Sequence, residues 1–406
     1  MRWHYAFYPT TLLEHAIAVT VVVFAIETVR MNGRLDWRGP FMWPALLLIV
    51  AAAIDVVAAP SRTAALGLFR AYFIEPVAFA FVLVHAVTSV RRAFVVLGGL
   101  AVAGVWVGAP NAVVVLQALR AHQYNVLDTP PVVIYTTANA LALFLDPLIA
   151  IAAATLLYVR DRDIRAASAA FLIVAVPAMI LTFSRGGYLA MAAVAVGLAL
   201  SHRRRWWLLG GVIAAGVVLV LIPPIYTRVS VEFQNVGGTT LFGNAGRIAL
   251  WKATLQMLQH YPIFGAGLAG FATRIQPYWN PQGPAQFIDP HNILLNFWVE
   301  TGVLGVIAAA WLFVQAFRWS WAGWRRAGGP WAALTVGLLL ACVAFVAHGL
   351  VDVPYFKNDL SLEFWVVIAL IECVRRYALT DEPAASRSAR GSRTAAPADS
   401  APAATA

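Results

Sequence analysis

The sequence predicts an all-α fold, a polytopic bundle of transmembrane helices, and three observations carry that prediction. Of its 406 residues 61% are apolar and only 12% are charged, about half the charge that an ordinary soluble domain carries. Apolar runs of membrane-crossing length recur along the chain as far as about residue 377. The arginines, which dominate a formal net charge of +10, sit between those runs and not in one patch. Together these features exclude a soluble enzyme, a disordered chain and a nucleic-acid-binding domain, because the basic excess reads as membrane topology. Cys342 and Cys373 lie inside apolar runs and form no disulfide framework.

A span needs roughly 20 mainly apolar residues to cross about 30 Å of hydrocarbon. Eleven runs qualify, near 11–29, 40–59, 66–88, 93–119, 138–158, 167–183, 188–201, 207–225, 292–317, 332–351 and 361–377. A further N-terminal segment, giving twelve, would alter that end alone. The first run is the weakest, since it holds Glu14, His15 and Glu27, and the third holds Glu75. A cleaved signal peptide is a poor reading: Arg2 is the one basic residue ahead of the first run, and no small-x-small cleavage site stands out.

If the spans alternate, one side collects Arg30, Arg34 and Arg38, then Arg91 and Arg92, then Arg160, Arg162 and Arg165. The same side takes Arg203, Arg204 and Arg205, Arg318 with Arg325 and Arg326, and Arg375 with Arg376. By the positive-inside rule that side is the cytoplasm, and the C-terminus lies there. The other side carries one large loop, 226–291, where Gly, Pro, Asn and aromatic residues replace the apolar runs. The chain therefore divides into N-terminal spans 1–134, a membrane domain 135–377 containing that loop, and a low-complexity Ala/Ser/Pro/Arg tail 378–406 expected to be disordered in the cytoplasm.

Arg185, in Thr182-Phe183-Ser184-Arg185-Gly186-Gly187-Tyr188, is the one Lys, Arg, Asp or Glu between Arg165 and Arg203. The pattern predicts a tight Gly-Gly turn sunk into the outer interface, holding a guanidinium near headgroup depth. An arginine at that depth marks a functional site by default; the competing reading is a snorkelling side chain at a helix end. Arg247 opens a second candidate, Gly243-Asn244-Ala245-Gly246-Arg247. Asn244 is a helix N-cap, and Ile248, Trp251, Leu255 and Leu258 repeat at helical spacing until Pro262 stops the run. This predicts an amphipathic helix on the outer membrane surface. A cation in its first turn opposes the macrodipole unless an anion binds there, and free N–H groups plus a guanidinium fork suit phosphate. An exposed surface arginine is the competing reading.

His291, after Asp289-Pro290, stands at the mouth of the next span, where a neutral imidazole suits a hydroxyl proton; a structural histidine is the competing reading. Glu300, further along the same helix, needs a partner that the sequence does not identify. Gly265-Ala266-Gly267-Leu268-Ala269-Gly270 matches G-x-G-x-x-G but lacks the strand-turn-helix surroundings of a dinucleotide site, and predicts a tight turn. No metal-ligand cluster, catalytic carboxylate pair or Ser-His-Asp order stands out, so no cofactor and no metal is expected.

Taken in order, these motifs resemble the O-antigen ligase / O-antigen polymerase superfamily of bacterial membrane glycosyltransferases. The resemblance runs from Ser184-Arg185-Gly186, through Arg247, Trp251 and His260-Tyr261-Pro262-Ile263-Phe264-Gly265-Ala266-Gly267, to His291. Its most specific piece is His291-Asn292 followed after nine residues by Gly302-Val303-Leu304-Gly305; a looser match is His348-Gly349-Leu350-Val351-Asp352. It covers about 135–377. The resemblance implies transfer of a glycan from undecaprenyl diphosphate to an acceptor hydroxyl at the periplasmic face of the inner membrane, with no nucleotide sugar or metal. The acceptor would be a lipid A core for a ligase, another glycan for a polymerase, or a protein. It implies that Arg185 and Arg247 hold the diphosphate, that His291 orients or deprotonates the acceptor, and that His348 and Asp352 contribute to substrate binding. The short outer loop and the acidic N-terminal spans depart from the family pattern and leave the acceptor open. A flippase or transporter of lipid-linked sugars is the second class, and it would need a polar path across the bilayer.

Overall fold

The computed structural model describes residues 2–5, 8–33, 35–36, 38–125, 129–230, 244–279 and 287–379. The expected disorder of the tail falls almost entirely outside the described residues, as do parts of the outer loop. Ahead of the first helix the chain makes a short antiparallel hairpin, β1 (Arg2–Tyr5) with β2 (Tyr8–Thr11). Everything after it among the described residues is helix or connection. In order come α1 (Leu12–Arg30), α2 (Met42–Ala58), α3 (Arg62–Phe69), α4 (Glu75–Ala86), α5 (Val90–Arg120) and α6 (Ala138–Tyr158). Then follow α7 (Arg162–Ile180), α8 (Arg185–Leu200), α9 (Arg205–Leu221), α10 (Pro223–Ser230), α11 (Asn244–His260), α12 (Phe271–Arg274), α13 (Ile293–Arg326), α14 (Gly329–Gly349) and α15 (Asn358–Val374).

Each of the eleven apolar runs coincides with a helix, or with α3 and α4 joined by a π-helical turn at Arg70–Ile74. Among the described residues seven helices are long and apolar enough to cross a membrane, with α2, α8 and α9 as shorter apolar helices. The chain is a polytopic helical membrane bundle. The sequence marks its helix starts with short polar caps: Ser89, Thr137, Asp161, Ser184 and Asn292 each accept a first-turn N–H, satisfying donors that would otherwise be orphaned. At the centre lie α6, α14 and α15, and α15 is buried without interruption from Leu360 to Val374. The outermost helix is α9, which has no buried residue.

Two acidic residues of the N-terminal spans, Glu14 and Glu75, are paired. Glu14 takes the Arg70 guanidinium at 2.7 Å and the Asn358 amide at 2.6 Å, and Arg70 also meets Glu75 at 3.0 Å. These contacts stitch α1 and the α3–α4 turn to the start of α15. At the opposite end, Arg376 donates to the carbonyls of Asp36 and Arg38 at 3.2 Å, so the basic connection after α1 and the basic end of α15 share one end of the bundle.

One feature of α13 positions the site. The helix breaks at Gly302 (φ 61°, ψ −171°), a left-handed conformation that glycine adopts without a Cβ penalty. The segment 261–270 fills the break: Val303 N–H donates to the Ile263 carbonyl at 2.9 Å, and Ala266 N–H donates to the Val299 carbonyl at 2.7 Å. Ala269 N–H donates to the Glu300 carboxylate at 2.6 Å, which supplies the partner that Glu300 needs. The G-x-G-x-x-G string is thus a tight turn packed against a broken helix.

Two sequence expectations are corrected locally. The Gly186-Gly187 pair is not a turn: the reversal falls at Thr182–Phe183, with Phe183 at φ 49°, and the glycines lie in the first turn of α8. The reason is Ser184, whose Oγ accepts the Gly187 N–H at 3.2 Å and starts the helix one residue earlier. In α11 the buried face is Leu250, Ala253, Met257 and Leu258, whereas Ile248 and Leu255 are exposed. The helix has apolar residues on two faces, and the face meeting the 266–275 segment and Val299 is the one the protein covers.

Candidate functional site

The first turns of α6, α8 and α13, the last turn of α14 and the connection into α15 meet at the end of the bundle opposite the arginine-bearing loops. Asn292 builds the entry to α13: its Oδ1 accepts the N–H groups of Leu294 and Leu295 at 3.1 Å, and its Nδ2 donates to the Leu350 carbonyl at 2.9 Å. One side chain therefore caps α13 and fastens it to the end of α14. Trp251 Nε1 donates to the Pro290 carbonyl at 2.9 Å, tying α11 to the same turn.

His291 precedes that cap and is held at φ 49°, an uncommon backbone region for a residue with a side chain. The Asp289 carboxylate holds it there, accepting the His291 backbone N–H at 2.9 Å. The imidazole Nδ1 lies 3.0 Å from Asp289 Oδ1 and 3.5 Å from Asp352 Oδ1. The N–H aims squarely at neither oxygen, so charge holds the group more than an aligned hydrogen bond does. Burial disfavours the imidazolium, but the two carboxylates outweigh it and push the His291 pKa up to about 10. At neutral pH His291 carries its proton.

Asp352 is buried, and both oxygens are engaged: Oδ1 accepts the Val353 N–H at 2.9 Å and Oδ2 the Asn139 amide at 2.9 Å. Burial alone would favour the neutral acid, yet His291, His348 and the Val353 N–H hold the Asp352 carboxyl well below the ordinary carboxylate range. Arg247, in the first turn of α11, is half-buried and feels the Asp352 charge; burial lowers its pKa and Asp352 opposes that shift.

His348, in the last turn of α14, is 1% exposed, and its Nδ1 lies 2.6 Å from Asp146 Oδ2 in the middle of α6. The ring sits against the start of α8: a Cβ on Gly186 would lie 2.5 Å from His348 Cδ2 and 2.6 Å from Nε2. Glycine at 186 is thus what lets the Arg185 turn approach His348. Arg185 itself is the first residue of α8 and half-buried.

All five residues singled out from the sequence are therefore linked: Arg247 to Asp352 through charge, Asp352 to His291 and His348, and His348 to the Arg185 turn through Gly186. Sequence reasoning missed Asp146, Asn139 and Asp289. Asp146 had a readable signal, an acidic residue in the middle of an apolar run, which is costly in a membrane and marks a functional position. Asn139 had none. Asp289, His291 and Asp352 also bring three ligand atoms within 4.8 Å of one another, a geometry that could hold a cation. Without a cation the same groups form an ion-pair cluster, with Asp352 accepting from Val353 and Asn139.

The fold and site together define a polytopic membrane protein with a cluster of cationic and carboxylate groups at one end of its bundle. Residues 169–310 match the family model described as O-antigen ligase, and Arg185, Arg247 and His291 lie inside the matched segment. Asp146, His348 and Asp352 fall outside the matched segment. No curated protein matches the chain significantly.

Proposed function

We propose that the protein is a membrane glycosyltransferase that moves a glycan from undecaprenyl diphosphate to an acceptor hydroxyl on the periplasmic face of the bacterial inner membrane. The observation that carries this reading is the cluster of His291 with Asp289 and Asp352 at the end of the bundle away from the basic loops, with Arg247 placed where it feels the Asp352 charge. Arg247 and Arg185 hold the donor diphosphate and neutralise it as the glycosyl C–O bond breaks and the electron pair leaves with the phosphate oxygen. His291 orients the acceptor hydroxyl, whose oxygen forms the new bond to the glycosyl carbon. Because its carboxylate partners keep His291 protonated, the hydroxyl proton passes to a carboxylate, and Asp289 is the nearer to the ring. His348 and Asp352 complete the donor seat. No step calls for a metal or a cofactor.

Ligase and polymerase share this chemistry and differ in acceptor. The test is transfer by the purified protein in lipid nanodiscs, supplied with undecaprenyl-diphosphate-linked glycan and with lipid A core, glycan or protein acceptors, read by mass spectrometry. A glycosylated product with released undecaprenyl diphosphate is the expected result. Movement of the lipid-linked glycan across the bilayer with no transfer to any acceptor would favour the flippase and overturn the reading.

A further inference from the structure

Helices α5, α6 and α7 enclose a cavity of about 140 Å³ that takes no part in the site described above. Each helix lines it with residues at i, i+3, i+4 and i+7, so the cavity runs along the helices as a groove. Small residues make it: Gly98 and Ala101 of α5, Ala152 and Thr155 of α6, Ala167 and Ser168 of α7. Gly98 and Ala167 are exposed, and a Cβ on Gly98 would meet no atom within 4 Å. The groove therefore opens sideways, between α5 and α7, toward the bilayer. Its hydroxyls are spent on their own helices: Thr155 Oγ1 donates to the Ile151 carbonyl at 2.8 Å, and Ser168 Oγ to the Ile164 carbonyl at 2.9 Å. Such a wall suits a hydrocarbon chain and not a sugar, and an unfilled gap forfeits van der Waals contacts that a chain would restore.

The mouth of the groove is cationic. Arg91 is exposed one turn ahead of Phe94 and continues the α5 stripe to the start of the helix. Arg165 is exposed beside Ile164, and its Nε donates to the Leu156 carbonyl at 3.1 Å, which holds the guanidinium by the last turn of α6, next to Thr155. That bond uses one of five N–H groups. Around this mouth Arg91, Arg92, Arg160, Arg162 and Arg165 outnumber Asp161 and Asp163. We propose that the groove is a binding site for an anionic glycerophospholipid of the cytoplasmic leaflet, with one acyl chain between α5, α6 and α7 and the phosphate held by Arg91 and Arg165. A guanidinium fork meets phosphate oxygens with good geometry. This phosphate lies at the end of the bundle opposite His291 and Arg247, so the site is separate from the donor seat and does not depend on the glycosyl-transfer reading. The seated chain braces α6, which carries Asn139 and Asp146, against α5 and α7.

Native mass spectrometry of the delipidated full chain in detergent tests both halves of the site, with phosphatidylglycerol or phosphatidylcholine of identical acyl chains added back. The tightest-bound phosphatidylglycerol should exceed phosphatidylcholine in affinity by about 5- to 25-fold, the gain from one or two arginines near an anionic headgroup. Arg91→Gln/Arg165→Gln should bring the two lipids level. Gly98→Leu fills the groove without displacing a neighbour, and leucine is the better helix former, so a loss there is not a failure to fold. That variant should retain one phosphatidylglycerol fewer than the wild type. Equal affinity of the wild type for the two lipids, or Gly98→Leu binding phosphatidylglycerol as the wild type does, would overturn the proposal. So would a dimer that forms without lipid and is lost in Gly98→Leu, since the occupant would then be a second copy of the chain. Should the double arginine variant fail to fold, Arg91→Gln alone carries that arm: a loss of about 5-fold is expected, and no loss overturns it.

Discussion

Val303 donates its N–H to the Ile263 carbonyl at 2.9 Å across the break in α13 at Gly302. That bond joins two residues forty positions apart. The turn 261–267 exists to receive a helix that has lost its own ladder, and the helix can lose it because the turn supplies replacement partners. His291 opens that helix and Arg247 lies on α11, which leads directly into the turn. The break therefore fixes the relative placement of two of the candidate site residues.

Gly302→Ala should accordingly be costly. The added Cβ would fall 2.3 Å from the Ile263 carbonyl oxygen, at a residue held at φ 61°. Alanine at a positive φ is destabilising by more than about 1 kcal/mol even without a clash. The melting temperature of the purified variant in detergent should fall by several degrees, and transfer should fall with it. A variant as stable as the wild type would show that α13 does not need its break.

The fold was legible because a membrane imposes a simple rule: about 20 apolar residues per crossing, with polar punctuation between. The runs at 138–158 and 332–351 became α6 and α14 nearly residue for residue. The site was legible only where a residue type was out of place, as with Arg185 in an apolar stretch. The pairing of Arg70 with both Glu14 and Glu75, and of Asp146 with His348, depends on which helices become neighbours, and helical periodicity says nothing about that. The Gly186-Gly187 pair shows the other failure. Glycine permits both turns and close approach, and the choice was made by Ser184 capping α8 and by a ring 202 positions from its own partner.

Arg247→Lys keeps the charge and loses the planar fork that meets two phosphate oxygens at once. Donor KM should rise about 10-fold or more, with the protein folded as before. A lysine variant that transfers glycan at the wild-type rate would show that a point charge suffices and that guanidinium geometry plays no part.

Orientation can be tested with single cysteines, because the native Cys342 and Cys373 are both buried. Ile288 lies beside the site and is 73% exposed, and Arg204 is exposed in the basic connection between α8 and α9. In intact cells a membrane-impermeant thiol reagent should label Ile288→Cys and spare Arg204→Cys, with both labelled after permeabilisation. Labelling confined to Arg204→Cys would invert the topology and remove the periplasmic donor from the reading.

The pH dependence of transfer decides what His291 does. Its folded pKa stands at about 10 against an ordinary 6.5, so the sign is that of a raised cationic group. The stabilisation from the His291 ion pairs is complete below the ordinary value and is lost as pH rises through about 10. If the imidazolium orients the acceptor and Asp289 takes the proton, kcat/KM should be level through neutrality and fall as pH approaches about 10. If His291 were itself the base, only its deprotonated fraction would act, and kcat/KM would climb tenfold per pH unit until about 10. Asp289→Asn separates the two further. In the first case it removes the proton acceptor, so kcat/KM should fall by about 10²–10⁴-fold at every pH; in the second it weakens the hold on the imidazolium proton and should raise the neutral-pH rate. His291→Ala should lower turnover in either case, by about 10²–10⁴-fold if it is the base, while undecaprenyl diphosphate still binds, because Arg185 and Arg247 remain. Unchanged turnover in a folded His291→Ala protein would leave neutralisation of the diphosphate as the whole of the catalysis.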